Sequence, residues 1–256
     1  MAKNKQTPEI IKLGSIYFGG EPQVPGEKFI DGDLAFGDTI PGMELSWVKY
    51  KDLLVADRCV CDYISWEQLN ELGYIFGYPI RIDGKPYRCR SLDVGSERNA
   101  PNEWFRIMAA LGSSNKLWHW QSQYFWGQNE TTCVSVDFSF DDPEAQEIEI
   151  LGCAARGYDS SRSWNYFDRE FANDGLGFRP VLEPLFPHDP NFLLGKQVRV
   201  YGPKKTVFKG KLIRADEYDY TLEMPNLILN CCDWAVQDGE HQLVFGKDNV
   251  LWMEEA

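Results

Sequence analysis

The sequence of 256 residues predicts an α+β fold, a mainly antiparallel domain with two helices followed by a small all-β barrel. Three observations predict it. Two stretches with helical hydrophobic spacing stand among many short alternating runs. A segment at 183–191, "EPLFPHDPN", carries Pro184, Pro187 and Pro190, which rules out a regular helix or a central strand there. Beyond it only short strand patterns separated by turn residues remain. The domains are therefore placed at 1–186 and 192–256.

Taken in chain order, "MAKNKQTPEIIKLG" has no apolar run after its basic residues, so no secretory leader is read there. "DLLVADRCVCDY" is the first clear strand candidate, with Cys59 and Cys61 alternating as small buried residues do. In "SWEQLNELGYIF" Ser65 and Gln68 form a capping box that opens the first helix, and Gly73 closes it. "YPIRIDGKPYRC" holds a hairpin signal at Asp83-Gly84. The second helix lies in "NAPNEWFRIMAALG": Pro101 stands near its start, Trp104, Ile107, Met108 and Leu111 form one apolar stripe, and Gly112 stops it. "TTCVSVDFSF" and "FRPVLEPL" are further strands. The last domain reads as "KQVRVYG", "VFKGKLIRAD", "YDYTLEMP", "LILNCCDWAVQ", "HQLVFG" and "NVLWME", with a β-bulge expected at Gly210.

A hydrophobic content of 43% supplies a core, and 14% aromatic residues, 9 of them Trp, exceed what a core alone needs. The net charge of −13 argues against general nucleic-acid binding, which rests on neutralising phosphates. Seven cysteines without a CxxC pair read as reduced thiols in the cytoplasm. No run of about 18 apolar residues is present to span a bilayer.

In order along the chain, "YRCRSL", the helix with Asn102, Glu103 and Trp104, "YFWGQ" at 124–128, "RGYDSSRSW" and "GLGFRPVLE" resemble the C-type lectin fold of formylglycine-generating-enzyme-like proteins and of variable proteins diversified by retroelements, over residues 40–183. The resemblance implies a bacterial, prophage or mobile-element origin and a polar-aromatic recognition loop. Gly177 is expected to allow a close backbone approach, Phe178 to fill the core, and Arg179 to meet a buried acid or carbonyls. Between 158 and 173 no hydrophobic period dominates, so Tyr158, Arg162, Trp164, Asn165, Tyr166, Phe167 and Arg169 are the candidate ligand-binding residues, displayed on a loop for a protein partner.

Catalytic and metal-binding residues are not assigned. The copper-binding cysteine pair of the formylglycine-generating relatives has no counterpart, since Pro180 follows the Gly-Phe-Arg signature and Cys153 is the only nearby thiol; His119, His188 and His241 are too scattered for an iron cluster. "EPQ" at Glu21 and "WNY" at Trp164 echo calcium-lectin motifs imperfectly, Asp141-Asp142 reads as solvated, and no cofactor is implied.

Residues 195–253 resemble an Sm-like small barrel, whose relatives form rings, so a homo-oligomer is one expectation. Between Lys196 and Arg214 stand seven basic residues and no acid. Lys204, Lys205, Lys209 and Lys211 are the candidate nucleic-acid contacts, against the alternative that cross-strand acids neutralise them. The expected function is non-catalytic recognition of a protein, with no membrane partner. The alternatives are an anti-CRISPR-like inhibitor that engages a nucleoprotein nuclease through its acidic surface, a divergent metal-dependent oxidase, and an RNA-binding barrel.

Overall fold

The computed structural model describes residues 8–29, 32–137, 146–186, 189–225 and 233–256. The chain divides into two compact units, Met1–Tyr78 with Ile82–Pro184, and Leu185–Ala256 with Pro79–Arg81.

Both expected helices are present. Ser65 caps Trp66–Glu71 with the full capping box, and Asn102 caps Glu103–Leu111 by accepting from the Phe105 N–H. Gly73 and Gly112, with φ of 78° and 85°, take the left-handed side at their ends. The α+β expectation is nevertheless corrected, because the molecule is mostly β, with four antiparallel or mixed sheets. The helices span only 6 and 9 residues, with a further turn at Asn115–Trp118. The strands Gln123–Asp137 and Gln146–Tyr158 span 15 and 13.

One six-stranded sheet runs Ile10–Lys12, Ser46–Tyr50, Leu53–Ala56, Val181–Pro184, Lys85–Arg90, Tyr78–Ile82. The other begins at the edge strand Ser160–Phe167 and continues through Gln146–Tyr158, Gln123–Asp137, Leu176–Phe178, Cys61–Asp62 and Glu27–Lys28. A core centred on Trp104, Trp118, Trp120 and Phe125 packs the second helix against the strands. Three buried indole N–H groups find backbone acceptors: Trp104 donates to Ser161 O at 3.0 Å, Trp118 to Gly112 O at 2.8 Å and Trp126 to Ile64 O at 2.8 Å.

Gly177 sits where a Cβ would lie 2.3 Å from Cys61 O, so here absence of a side chain is a packing requirement. Phe178 and Arg179 beside it are fully buried.

In the second unit six strands form one antiparallel sheet, in the order Ala235–Gln237, Gln242–Gly246, Asp219–Glu223, Val207–Ala215, Gln197–Tyr201, Trp252–Glu255. Its core is Val198, Val200, Leu212, Leu222, Leu243 and Phe245. The Sm-like closed barrel is corrected to an open sheet, since no pairing joins the first of these strands to the last among the described residues. The edge strand Ala235–Gln237 has three residues, and Trp234 before it packs on Phe208 and Phe245 so close to Gly202 that a Cβ there would lie 2.1 Å from the indole. The bulge falls between Leu212 and Arg214, not at Gly210.

Gly177→Ala is expected to destabilise the first unit by about 1–3 kcal/mol through overpacking, measured by urea denaturation.

Candidate functional site

The structure changes the setting of the expected recognition segment. Ser160–Phe167 is a β-strand at a sheet edge, paired through Cys153↔Phe167 to Arg156↔Trp164 with a register shift next to Gly157. Alternate side chains therefore leave on opposite faces. Trp164 packs against the Trp104 core, and Tyr166 stands beside it at 5.9 Å between ring centroids. Phe167 goes to the other face, against Tyr124 and Trp126.

The remaining residues divide further. Asn165 Oδ1 accepts the N–H of Tyr166, blocking part of its own strand edge. Arg169 is held by Glu67 and Glu130 and lies over Trp66, so its charge is already neutralised. Tyr158, with φ of 70°, stacks on Tyr124 and is 42% exposed. Arg162 alone of the seven lines a groove in this unit, beside the second helix. The loop expected at 158–173 is thus corrected over Ser160–Phe167 to a strand whose rings are split between two faces, and 168–173 is turn and irregular backbone.

That groove has a volume of about 790 Å³ and runs between the helix Glu103–Leu111 and the edge strand. Phe105, Met108 and Ala109 form its helical, apolar side; Ser161 and Arg162 come from the strand; Arg98, Asn99 and Ser113 complete it. Its walls are tied together. The Trp104 indole donates to Ser161 O, joining helix to strand. Arg156, fully buried, donates from Nε to Val94 O at 3.1 Å and from Nη2 to Arg98 O at 2.8 Å, and stacks its guanidinium 4.5 Å from the Phe105 ring centroid. Burial, and secondarily Arg98, brings the Arg156 pKa down to about 10. No carboxylate pairs with Arg156 among the described residues.

Sequence reading missed Arg98, Asn99, Phe105 and Ser113 because they converge from separate segments. One signal was available: Phe105 lies off the apolar stripe of its helix, and a ring on that side has to meet something other than the helix's own core face.

Three of the seven basic residues of the segment in the second unit have a carboxylate partner among the described residues. Lys196 meets Glu255 at 2.7 Å, Lys204 meets Asp233 at 3.0 Å, and Arg214 meets Asp216 at 3.4 Å. Lys204 and Lys205 occupy a tight turn with φ of 52° and 57°. Lys209 and Lys211 project from one face of Val207–Ala215, opposite Arg199 and Gln197, and Lys211 also faces Glu223.

His119 Nδ1 lies 3.7 Å from the Asp57 carboxylate, and burial, then Arg58, lowers its pKa. Cys59, Cys61 and Cys153 are buried and free, with burial pushing Cys59 up to about 11 and Cys153 up to about 12, and Cys89 is buried. His188, Asp141-Asp142, Cys231 and Cys232 lie outside the described residues. No cluster of three or more His, Cys, Asp or Glu side chains is arranged for a metal among the described residues, and no helix among them is long and apolar enough to cross a membrane.

Beside the aromatic face, Asp62 Oδ2 accepts from Gln123 Nε2 at 3.0 Å while Oδ1 has no partner among the described residues. Burial first, and Asp174 second, raise the Asp62 pKa.

Comparison of the chain with protein-family models, with curated proteins and with solved structures finds no match.

Two predictions follow from these placements. Trp164→Ala is expected to cost about 2 kcal/mol, because the ring is a half-buried part of the core, and equilibrium denaturation measures it. For Asp62 the fold disfavours the ionised form, so its penalty is complete above the folded pKa and is relieved as pH falls through it. Asp62→Asn should therefore raise the melting temperature at neutral pH, with a gain that shrinks on acidification; thermal melts across pH check the sign.

Proposed function

We propose that the chain is a non-catalytic recognition protein that binds a protein partner through the groove between its second helix and the edge strand. One observation carries the reading. An open concavity combines an aromatic ring, Phe105, with two arginines, Arg98 and Arg162, the residue types that dominate binding hot spots. Its walls are held by indole and guanidinium hydrogen bonds to backbone carbonyls, so little ordering cost falls on association.

The reading keeps a protein as the partner but moves the contact surface. Trp164 and Arg169 serve the scaffold, whereas Arg162 faces the ligand together with residues from the helix and the 98–99 turn. The free buried cysteines fit a protein of a reducing compartment such as the cytoplasm.

Ala109 is exposed and lines the groove, so Ala109→Trp fills the concavity without touching the core. With wild-type and variant protein immobilised side by side in extract of the native host, partners held by the wild type should fall by about tenfold on the variant, the scale of losing one hot-spot contact. Equal recovery from both, with equal melting temperatures, would place the binding surface elsewhere.

A further inference from the structure

The chemistry of this groove narrows the partner. In a chain with 39 acidic residues against 26 lysines and arginines, many described cations have found a carboxylate: Arg58 with Asp57, Arg90 with Glu103, Arg169 with Glu67, Lys49 with Glu9. Arg98 and Arg162 have none among the described residues, although both are exposed and acids are plentiful. Glu97 and Asp159 are close in sequence but form no ion pair with either; the Asp159 carboxylate instead accepts from Ser163 Oγ.

Behind the groove stands a third arginine with no counter-ion among the described residues. Arg156 is fully buried, its Nη1 has no hydrogen-bond partner among the described residues, and its guanidinium lies over Phe105, a ring that lines the groove. It also holds the carbonyl of Arg98. A buried positive charge without a carboxylate makes the nearby surface favourable to an anion, because the low-dielectric interior screens it poorly.

We infer that the groove takes an acidic segment of the partner protein, its side-chain carboxylates seated on Arg98 and Arg162 and an apolar side chain against Phe105 and Met108. This rests on the protein-recognition reading above. Guanidinium groups bind carboxylates through paired donors, and the apolar wall suits an amino-acid side chain. A nucleic acid fits less well, because its affinity needs many cations along a phosphate track and the groove offers two exposed arginines.

The test uses the full chain and fluorescence anisotropy with three labelled peptides of equal length, alternating Glu with Leu, Ser with Leu, and Lys with Leu. The Glu-Leu peptide should bind best, weaken as salt is added, and lose about tenfold or more in affinity with the double variant Arg98→Gln, Arg162→Gln, the loss expected for charge-assisted hydrogen bonds. Both residues are exposed, and an unchanged melting temperature confirms that the variant is folded. Reversal at one position, Arg162→Glu, should exclude the Glu-Leu peptide and admit the Lys-Leu peptide.

Equal binding of all three peptides, or binding indifferent to both arginines, overturns the acidic partner. So does the absence of Glu-Leu binding, or displacement of that peptide by oligouridylate or inorganic phosphate at lower concentration than by unlabelled Glu-Leu peptide. If the Ser-Leu peptide binds and Ala109→Trp abolishes it, the groove remains a protein site and only the acidic assignment falls. If no peptide responds to Ala109→Trp, and host partners are also retained by that variant, the recognition reading falls with it.

Discussion

Two buried guanidinium groups govern the arrangement of the first unit. Arg156 and Arg179 are both fully removed from solvent, and neither has a carboxylate partner among the described residues. A dry cation is expensive unless its donors are met, and here backbone carbonyls meet several of them, leaving Arg156 Nη1 and Arg179 Nε without a hydrogen-bond partner among the described residues. Arg179 donates to Asp57 O and Trp118 O, and Arg156 to Val94, Glu97 and Arg98. Aromatic faces supply the rest, Trp104, Trp120 and Phe125 lying within 5.0–5.8 Å of the Arg179 guanidinium and Phe105 against Arg156. Loops without regular hydrogen bonding are thereby fastened to strands.

The groove inherits its shape from that fastening. The turn that carries Arg98 and Asn99 is held because its carbonyls serve Arg156; the helix that carries Phe105 and Ala109 is held because Trp104 reaches Ser161. Binding residues on such a frame need no ordering of their own backbone. In the second unit a single ring plays the comparable part. Trp234 is wedged against Gly202 and packed on Phe208 and Phe245, and the two edges of the sheet are unpaired with each other among the described residues.

Local signals were legible in the sequence where the chemistry is local. Ser65 with Gln68, Gly73 and Gly112 bound their helices because a cap needs only residues within a few positions of it, whereas Pro101 was read near the start of the second helix and the cap itself falls to Asn102. The Asp83-Gly84 turn, with both residues at positive φ, is of the same kind. The strand Ser160–Phe167 was not legible, because rings occur on both of its faces and erase the alternation by which a half-buried strand is known. Seen in one dimension, Trp164 and Phe167 belong to one aromatic run; in the fold they never share a surface. In the basic segment 196–214 pairing with acids was foreseen as the alternative to nucleic-acid contact, but the identity of the partners was not, since Glu255 and Asp233 lie far along the chain from Lys196 and Lys204.

The sequence by itself determined the helix ends, the hairpin turn and the need for a side-chain-free position at Gly177, because those demands are set by neighbouring backbone or by one glycine. Only the tertiary structure decided that strands dominate, that the C-terminal sheet stays open, and that Arg98, Phe105 and Arg162 converge while Arg169 is spent on Glu67 and Glu130. The physical reason is that charge neutralisation and edge pairing depend on distance in space, and spatial distance is fixed only when the separate segments have packed.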